Sequence, residues 1–392
     1  IGSGLVGSEM CIRDRYKAAV IGAGFIGAAH VEALRRLGNV EVVALCDAMG
    51  AEKKAQQMNI PRAYSDYRKM LDELELDAIH ICTPNHTHYE IAKCAIEHGV
   101  NFICEKPFTT TLEQAKELVV LADEKHVRGM VNFHNRIYPM TNQIHQMVKS
   151  GELGRIFSIH GEYVQDWLQF ETDYSWRLES SQGGPIRAVA DIGSHWMDLA
   201  EFISGTRVRR VCASFSTVYP VRKKPIGKVE TFGAAAADTA YVDVPIDTED
   251  QAAILFEFEN GAIGTLMVSQ VFAGRKNTMV MNVAGSKKSA VWTSEDLNNL
   301  LIGYREKPNE IIAKDPNLLS AHSASNCSYP GGHIEGFPDA FKHGFKQFYT
   351  SLGADGEYDY ATLRDGLRET QLCEATLRSA QTGGWVDVSE EA

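Results

Sequence analysis

Asp191 and His195 stand four residues apart, with Asp198 three further on, in the stretch Asp191-Ile192-Gly193-Ser194-His195-Trp196-Met197-Asp198. On a helix all three would share a face. A histidine held there suits general-base work, because its proton affinity lies near working pH, and a neighbouring carboxylate can orient it. The same spacing also fits a helix-capping aspartate followed by a core histidine. It could hold a metal ion too, but no cysteine or further histidine at short range completes such a site. Cys104-Glu105-Lys106-Pro107 places an ammonium at the end of an apolar run, where it serves either a ligand cleft or solvent. Oxidation of an alcohol would use both kinds of group: a base for the hydroxyl proton, and a cation for the charge that develops on oxygen.

These residues need elements to carry them, and the first third of the chain supplies an alternation of strands and helices. Apolar runs at 17–21, 40–46, 78–82, 100–104 and 128–133 are separated by helical patterns, among them about 86–98 and 111–126. Such alternation predicts a parallel sheet with helical crossovers. Between the first run and the first helix lies Gly22-Ala23-Gly24-Phe25-Ile26-Gly27, with Asp47 twenty residues after the last glycine. In that setting the glycines form a dinucleotide fingerprint: a tight turn at Gly22, close approach of pyrophosphate at Gly24, and close helix packing at Gly27. The backbone from Gly24 through Phe25 and Ile26 to Gly27 would meet the phosphates at the helix N-terminus. A carboxylate at Asp47 would accept the ribose hydroxyls and repel a 2′-phosphate, so NAD is expected and NADP disfavoured. Thr83-Pro84-Asn85-His86-Thr87-His88 follows a strand at the same edge; Asn85 there would cap a helix or touch cofactor.

After about residue 135 the pattern changes to strand-like alternation at 155–166, 208–219, 251–258, 262–271, 278–284 and 289–292, with Asn260-Gly261 as a hairpin signal. Helices are expected at 139–149, from Pro338 to about 349, and at about 361–382. Residues 294–336 show little periodicity and many turn formers. The expected fold is an α/β Rossmann domain over 16–135 plus an α+β domain over 136–392 built on a large, mainly antiparallel open sheet. A second copy against that sheet would cover its free face.

Composition narrows the function classes. With 39 basic and 51 acidic side chains the net charge is −12, against a nucleic-acid partner. The basic run Arg222-Lys223-Lys224 reads as a solvated loop. No apolar stretch is long enough to span a membrane. Eight cysteines without a CxxC pair give neither a zinc site nor a disulfide framework, which suits reduced thiols in the cytoplasm. Residues 1–15 lack a secretory layout and read as a non-native leader, with the native start near Tyr16.

Taken together, the motifs at 22–27 (GAGFIG), 83–88 (TPNHTH), 104–107 (CEKP) and 191–198 (DIGSHWMD) resemble the glucose–fructose oxidoreductase, inositol dehydrogenase and rhizopine-catabolism (Gfo/Idh/MocA) family. The resemblance runs from residue 17 onward. It implies a catalytic trio of Lys106, Asp191 and His195, with no metal. It also implies cofactor contacts at Gly22, Gly24, Phe25, Ile26, Gly27, Asp47, Thr83, Pro84, Asn85, His88, Glu105 and Lys106. The stretches 161–168, 175–180 and 329–341 are similar to a subgroup of levoglucosan and glycoside 3-dehydrogenases. That likeness implies Gln165, Asp166, Trp176, Arg177 and His333 as sugar-pocket candidates beside the trio. The implied activity is NAD-dependent oxidation of a secondary sugar or glycoside hydroxyl, at C3, in a homodimer or homotetramer formed through the C-terminal sheet. The alternatives are inositol oxidation, a non-catalytic NAD-binding regulator, and a metal-dependent lyase or hydrolase.

Overall fold

The computed structural model describes residues 15–226 and 239–388, so the expected leader, apart from Arg15, lies outside the described residues. Short runs of alanine and β-branched residues, buried on both faces, form the first sheet. In chain order these elements are β1 (Tyr16–Ile21), α1 (Phe25–Leu37), β2 (Val40–Cys46), α2 (Ala51–Gln57), β3 (Arg62–Tyr64), α3 (Tyr67–Glu73), β4 (Ala78–Ile81), α4 (His88–Glu97), β5 (Asn101–Cys104), α5 (Leu112–Lys125) and β6 (Gly129–Val131). They pair in parallel in the order β6-β5-β4-β1-β2-β3. The order reverses between β1 and β4, and a crevice for ligands opens at the carboxyl ends of strands at such a point. Gly22 and Cys82 leave the sheet there, side by side.

The second half contains α6 (Pro139–Lys149), β7 (Ile156–Val164), the single turn α7 (Ser180–Gly183), α8 (Ser194–Ser204), β8 (Val208–Ser216), β9 (Val221–Pro225), β10 (Tyr241–Pro245), β11 (Gln251–Phe258), β12 (Ile263–Ser269), β13 (Thr278–Gly285), β14 (Ser289–Thr293), β15 (Asn299–Gly303), β16 (Glu310–Ala313), α9 (Ala321–Ala324), α10 (Phe337–Ser351), β17 (Ala361–Thr362), α11 (Leu363–Thr382) and β18 (Val386–Asp387). Nine of these strands form the expected open sheet, ordered β16-β15-β14-β13-β7-β12-β11-β8-β18. It is antiparallel except where β12 lies parallel to β7. The Asn260-Gly261 turn joins β11 to β12: Gly261 takes φ +82° and the Asn260 side chain accepts from the Ala262 N–H at 2.9 Å. One face of the sheet packs on α6, α8 and α11, while the other exposes Phe157, Leu255, Ile263, Leu301 and Ile311.

Three local expectations need correction. Residues 294–336 carry two further strands, β15 and the edge strand β16, whose Leu300-Leu301-Ile302 and Ile311-Ile312 runs are apolar on both faces and so show no alternation. The basic run at 222–224 is strand β9, and Arg222 is completely buried against Asp250. The segment from 337 to 362 also returns to the first sheet. There β17 pairs antiparallel with β6, and Phe341, Phe345, Phe348 and Tyr349 of α10 complete the core beneath α1. Among the described residues, no helix is long and apolar enough to cross a membrane.

Candidate active site

At the crevice, the glycine turn has the shape that a dinucleotide requires. Gly22 adopts φ +92°, and a Cβ there would lie 2.6 Å from the Cys82 carbonyl oxygen. A side chain on Gly27 would run into the Gly22 carbonyl, whereas a Cβ on Gly24 would meet only open space ahead of α1. The site therefore fits a pyrophosphate against the backbone of Gly24, Phe25, Ile26 and Gly27 at the start of α1. Asp47, at the end of β2, accepts from the Ala23 N–H (2.8 Å) and the Met49 N–H (2.9 Å) and pairs with Lys54 at 2.8 Å. Burial raises its proton affinity, but the Lys54 and backbone hydrogen bonds outweigh that and hold it below the usual carboxylate range. Sequence reasoning missed Lys54, because it lies on α2, a full seven residues beyond Asp47.

The 83–88 loop approaches from β4. Thr87 Oγ1 donates to Thr83 Oγ1 (2.6 Å), and Asn85 Nδ2 donates to the Gly183 carbonyl at 3.1 Å, tying this loop to the second half of the chain. His88 is fully buried, its ring nitrogens 2.8 Å from the Pro107 carbonyl and 2.9 Å from the Thr83 carbonyl. It clamps two loops together, so its place in the cofactor site is indirect.

Glu105 is likewise turned inward. Its Oε1 lies 3.0 Å from His30 Nε2 and 2.5 Å from Asn132 Nδ2. His30 Nδ1 stands 2.9 Å from His80 Nδ1, and His80 Nε2 stands 3.0 Å from the Tyr349 hydroxyl. With neutral rings the donors run in one direction: Tyr349 to His80, His80 to His30, His30 to Glu105. Burial raises the Glu105 pKa, but the His30 and Asn132 bonds reverse that and bring it down to about 2. This chain fixes the backbone that presents Lys106, and Glu105 itself does not face the crevice.

Lys106 reaches across to the second half. Its Nζ donates to the Asp191 carbonyl oxygen at 2.6 Å and to Asp191 Oδ1 at 2.9 Å. Asp191 sits on a π-helical turn, Val189–Gly193, that runs directly into α8, whose first turn carries His195. Two contacts set the register of this helix on the sheet. Trp196 Nε1 donates to the Val280 carbonyl at 2.9 Å, and Gly161 leaves room for it, since a Cβ there would collide with the same carbonyl. Asp191 also receives Gln270 Nε2 on Oδ2 at 2.8 Å and Arg177 Nε near Oδ1 at 3.4 Å. Burial would raise its pKa; the charges of Lys106 and Arg177 dominate and keep it ionised well below the usual range.

His195 is buried between Phe133 and His134, with ring centroids 5.5 and 5.1 Å away, and Tyr163 lies at 6.2 Å. Its Nδ1 has no hydrogen-bond partner among the described residues. Burial first, then the Lys106 charge, drive its pKa well below 6.5, so the ring is neutral and ready to take a proton. His134 is similarly pushed down to about 4 by burial. Asp198, the third residue of the motif, is not at the site: it forms a buried two-point pair with Arg136, at 2.8 and 2.5 Å.

Of the sugar-pocket candidates, Arg177 meets the trio directly through Asp191, and its guanidinium lies 4.6 Å from the centre of the half-buried Trp176 ring. Gln165 is engaged by Asn277 (2.7 Å) and Trp167 (2.8 Å). Asp166 pairs with Lys276 at 2.8 Å. His333 is exposed within its own loop, beside Tyr329. The motif similarity that suggested these three carries no information on where each side chain points. Tyr163 and Gln270, which do flank the trio, had no sequence signal beyond lying on strand-like runs. Among the described residues no cluster of three metal-ligating side chains occurs, and all described cysteines are free.

Comparison with known proteins agrees with this architecture. Residues 16–133 match the profile of an oxidoreductase family with an NAD-binding Rossmann fold, and residues 141–291 match the GFO/IDH/MocA C-terminal domain. The chain is 27% identical over 384 residues to levoglucosan dehydrogenase of Pseudarthrobacter phenanthrenivorans, covering 95% of this chain and 97% of that one. It is 27% identical over 388 residues to D-glucoside 3-dehydrogenase of Escherichia coli, with the same coverages. Among solved structures, a levoglucosan dehydrogenase in complex with NADH and L-sorbose superposes with a TM-score of 0.87 at 25% identity, over 97% of this chain and all of that one. An inositol dehydrogenase homolog from Azotobacter vinelandii with NADH and myo-inositol gives 0.82 at 26% identity, over 95% and 98% of the two chains.

Proposed function

The chain belongs to the Gfo/Idh/MocA family of NAD-binding oxidoreductases, and from that premise we propose that it oxidises a secondary hydroxyl of a sugar or glycoside, at C3. One observation carries the reading: an ammonium anchored on an ionised carboxylate stands beside a buried neutral imidazole, at the sheet edge where the glycine turn opens. Bound NAD⁺ supplies the hydride acceptor. His195 takes the hydroxyl proton, for which its neutral state suits it. Lys106 has three N–H donors; two are held by Asp191, and the third is free for the reacting oxygen. Asp191, kept ionised, orients that ammonium. With Lys106 and Arg177 against one Asp191, the pocket carries an excess positive charge to stabilise the developing alkoxide. Trp176 and Arg177 offer an aromatic face and a donor fork to the sugar ring.

The test is a panel of NAD⁺ and NADP⁺ against levoglucosan, glucosides, glucose and inositols, following the absorbance of reduced cofactor, with NMR of the product to locate the carbonyl. Turnover with NAD⁺ and a 3-keto sugar is expected; faster turnover of an inositol would favour the sister activity. His195→Asn should abolish turnover while leaving NAD binding intact. Absence of NADH formation on every member would favour a nucleotide-binding regulator. The same reading puts a second copy of the chain against the exposed Phe157, Leu255, Ile263, Leu301 and Ile311, to be checked by light scattering.

A further inference from the structure

Asp191 is held on its far side by a hydrogen-bond path that leaves the crevice altogether. Gln270, wholly buried just beyond β12, donates Nε2 to Asp191 Oδ2 at 2.8 Å and accepts Arg187 NH1 on Oε1 at 3.1 Å. A carboxylate on one side and a guanidinium on the other allow the amide only this orientation. Arg187 pairs in turn with Asp250, and Asp250 pairs with Arg222 at 2.7 Å. Arg222 also donates from its two terminal nitrogens to main-chain carbonyls of the 168–173 loop: Phe170 (2.8 Å), Leu168 (3.1 Å) and Asp173 (3.3 Å). That loop leads to Trp176 and Arg177. All four side chains are essentially excluded from water, and Glu249 secures the backbone N–H groups of Arg187 and Val189 at the start of the catalytic turn.

We infer that Gln270 is a positioning residue for the catalytic centre, and that the buried Arg187–Asp250–Arg222 cluster behind it joins Asp191 to the substrate-side loop in one framework. The inference rests on the proposed dehydrogenase reading. Asp191 has two oxygens to satisfy, and Lys106 with Arg177 take only Oδ1. Without Gln270 the other oxygen would be free to rotate toward Lys106 and withdraw the donor meant for substrate. The charged and titratable groups that face Asp191 are Lys106, Arg177, His195 and Tyr163.

Gln270→Leu removes the donor with little change of volume, and Gln270→Glu places a second carboxyl against Asp191. We expect kcat to fall at least about tenfold in Gln270→Leu with NAD affinity within about twofold of wild type. In Gln270→Glu a proton shared between two carboxyls should shift the kcat–pH profile. Arg222→Met should instead raise the sugar KM by more than it lowers kcat, through the loosened loop. Variants with wild-type kcat and pH profile would overturn the inference. So would a loss of activity that only tracks the fraction of folded protein, with an unaltered profile in what remains. If the wild type turns over nothing on the panel, the dehydrogenase reading is what has failed. NMR titration of the His195 ring in histidine-labelled protein then tests Gln270 alone: a shifted titration in Gln270→Glu supports the framework, and an unshifted one rejects it.

Discussion

Replacing Lys106 with methionine isolates the electrostatic part of the proposed chemistry. The two side chains are of similar length, so the change removes charge and donors while filling the same space. Two of the three Nζ donors belong to Asp191, at 2.6 and 2.9 Å, which leaves one charge-assisted bond for the reacting oxygen. The side chain is only 14% exposed, so that bond forms in a poorly screened setting. Loss of a single donor to a developing oxyanion costs about 2.7–4 kcal/mol, or a factor of about 10²–10³ in kcat. Asp191 keeps Gln270 and Arg177, so the fold and the carboxylate charge survive. Nothing on the glycine turn is touched, and the NAD dissociation constant should stay within about threefold. A second signature follows from the removed cation: Lys106 depresses the proton affinity of His195, so without it the acid limb of the kcat/KM profile moves to higher pH. Steady-state absorbance over pH 5–9 (about four units is enough to see the limb), with NAD titrated by tryptophan fluorescence, measures both. A kcat within tenfold of wild type, or a change confined to NAD affinity, would refute the assignment of Lys106 to the reacting oxygen.

Other consequences can be checked alongside. Asp47→Ala should weaken NAD and let NADP⁺ gain at least about tenfold in relative kcat/KM, because Lys54 then loses its carboxylate and can meet a 2′-phosphate; adding Lys54→Met should cancel the gain. Glu105, brought from an ordinary 4.5 to about 2, contributes about 3 kcal/mol of stability that is complete above pH 4.5 and is lost as pH falls toward 2. Urea unfolding at pH 7, 4.5 and 3 should show this loss, and Glu105→Gln should flatten it. Gly27→Ala, whose new methyl would strike the Gly22 carbonyl, should abolish NAD binding in calorimetry even where folded protein is recovered.

The cofactor edge was legible because its demands fall on consecutive residues. Three glycines at fixed spacing and an acid at the end of the next strand are local requirements of backbone and charge, and they lie where the spacing put them. Lys106, Asp191 and His195 were readable as motifs, but the hydrogen bonds that join residues 85 positions apart are a product of topology. Arg222 shows why the remainder was hidden. An arginine followed by two lysines is ordinarily a wet surface, and only the placement of Asp250, 28 residues on, turns it into a buried partner. Gln270 belongs to a residue type that announces no chemistry. Conversely, Gln165 and Asp166 were suggested by a shared motif, and their side chains turn toward Asn277 and Lys276.

The return of α10 and β17 to the first sheet bears on how this protein can be taken apart. Phe341, Phe345, Phe348 and Tyr349 sit in the core beneath α1, and Tyr349 closes the histidine chain behind Glu105. A fragment ending near residue 135 would therefore expose an oily trough and leave two imidazoles without their last donor. Anyone grafting the nucleotide-binding half onto another enzyme must move two separate stretches of sequence, and a cut made between them would yield an insoluble product.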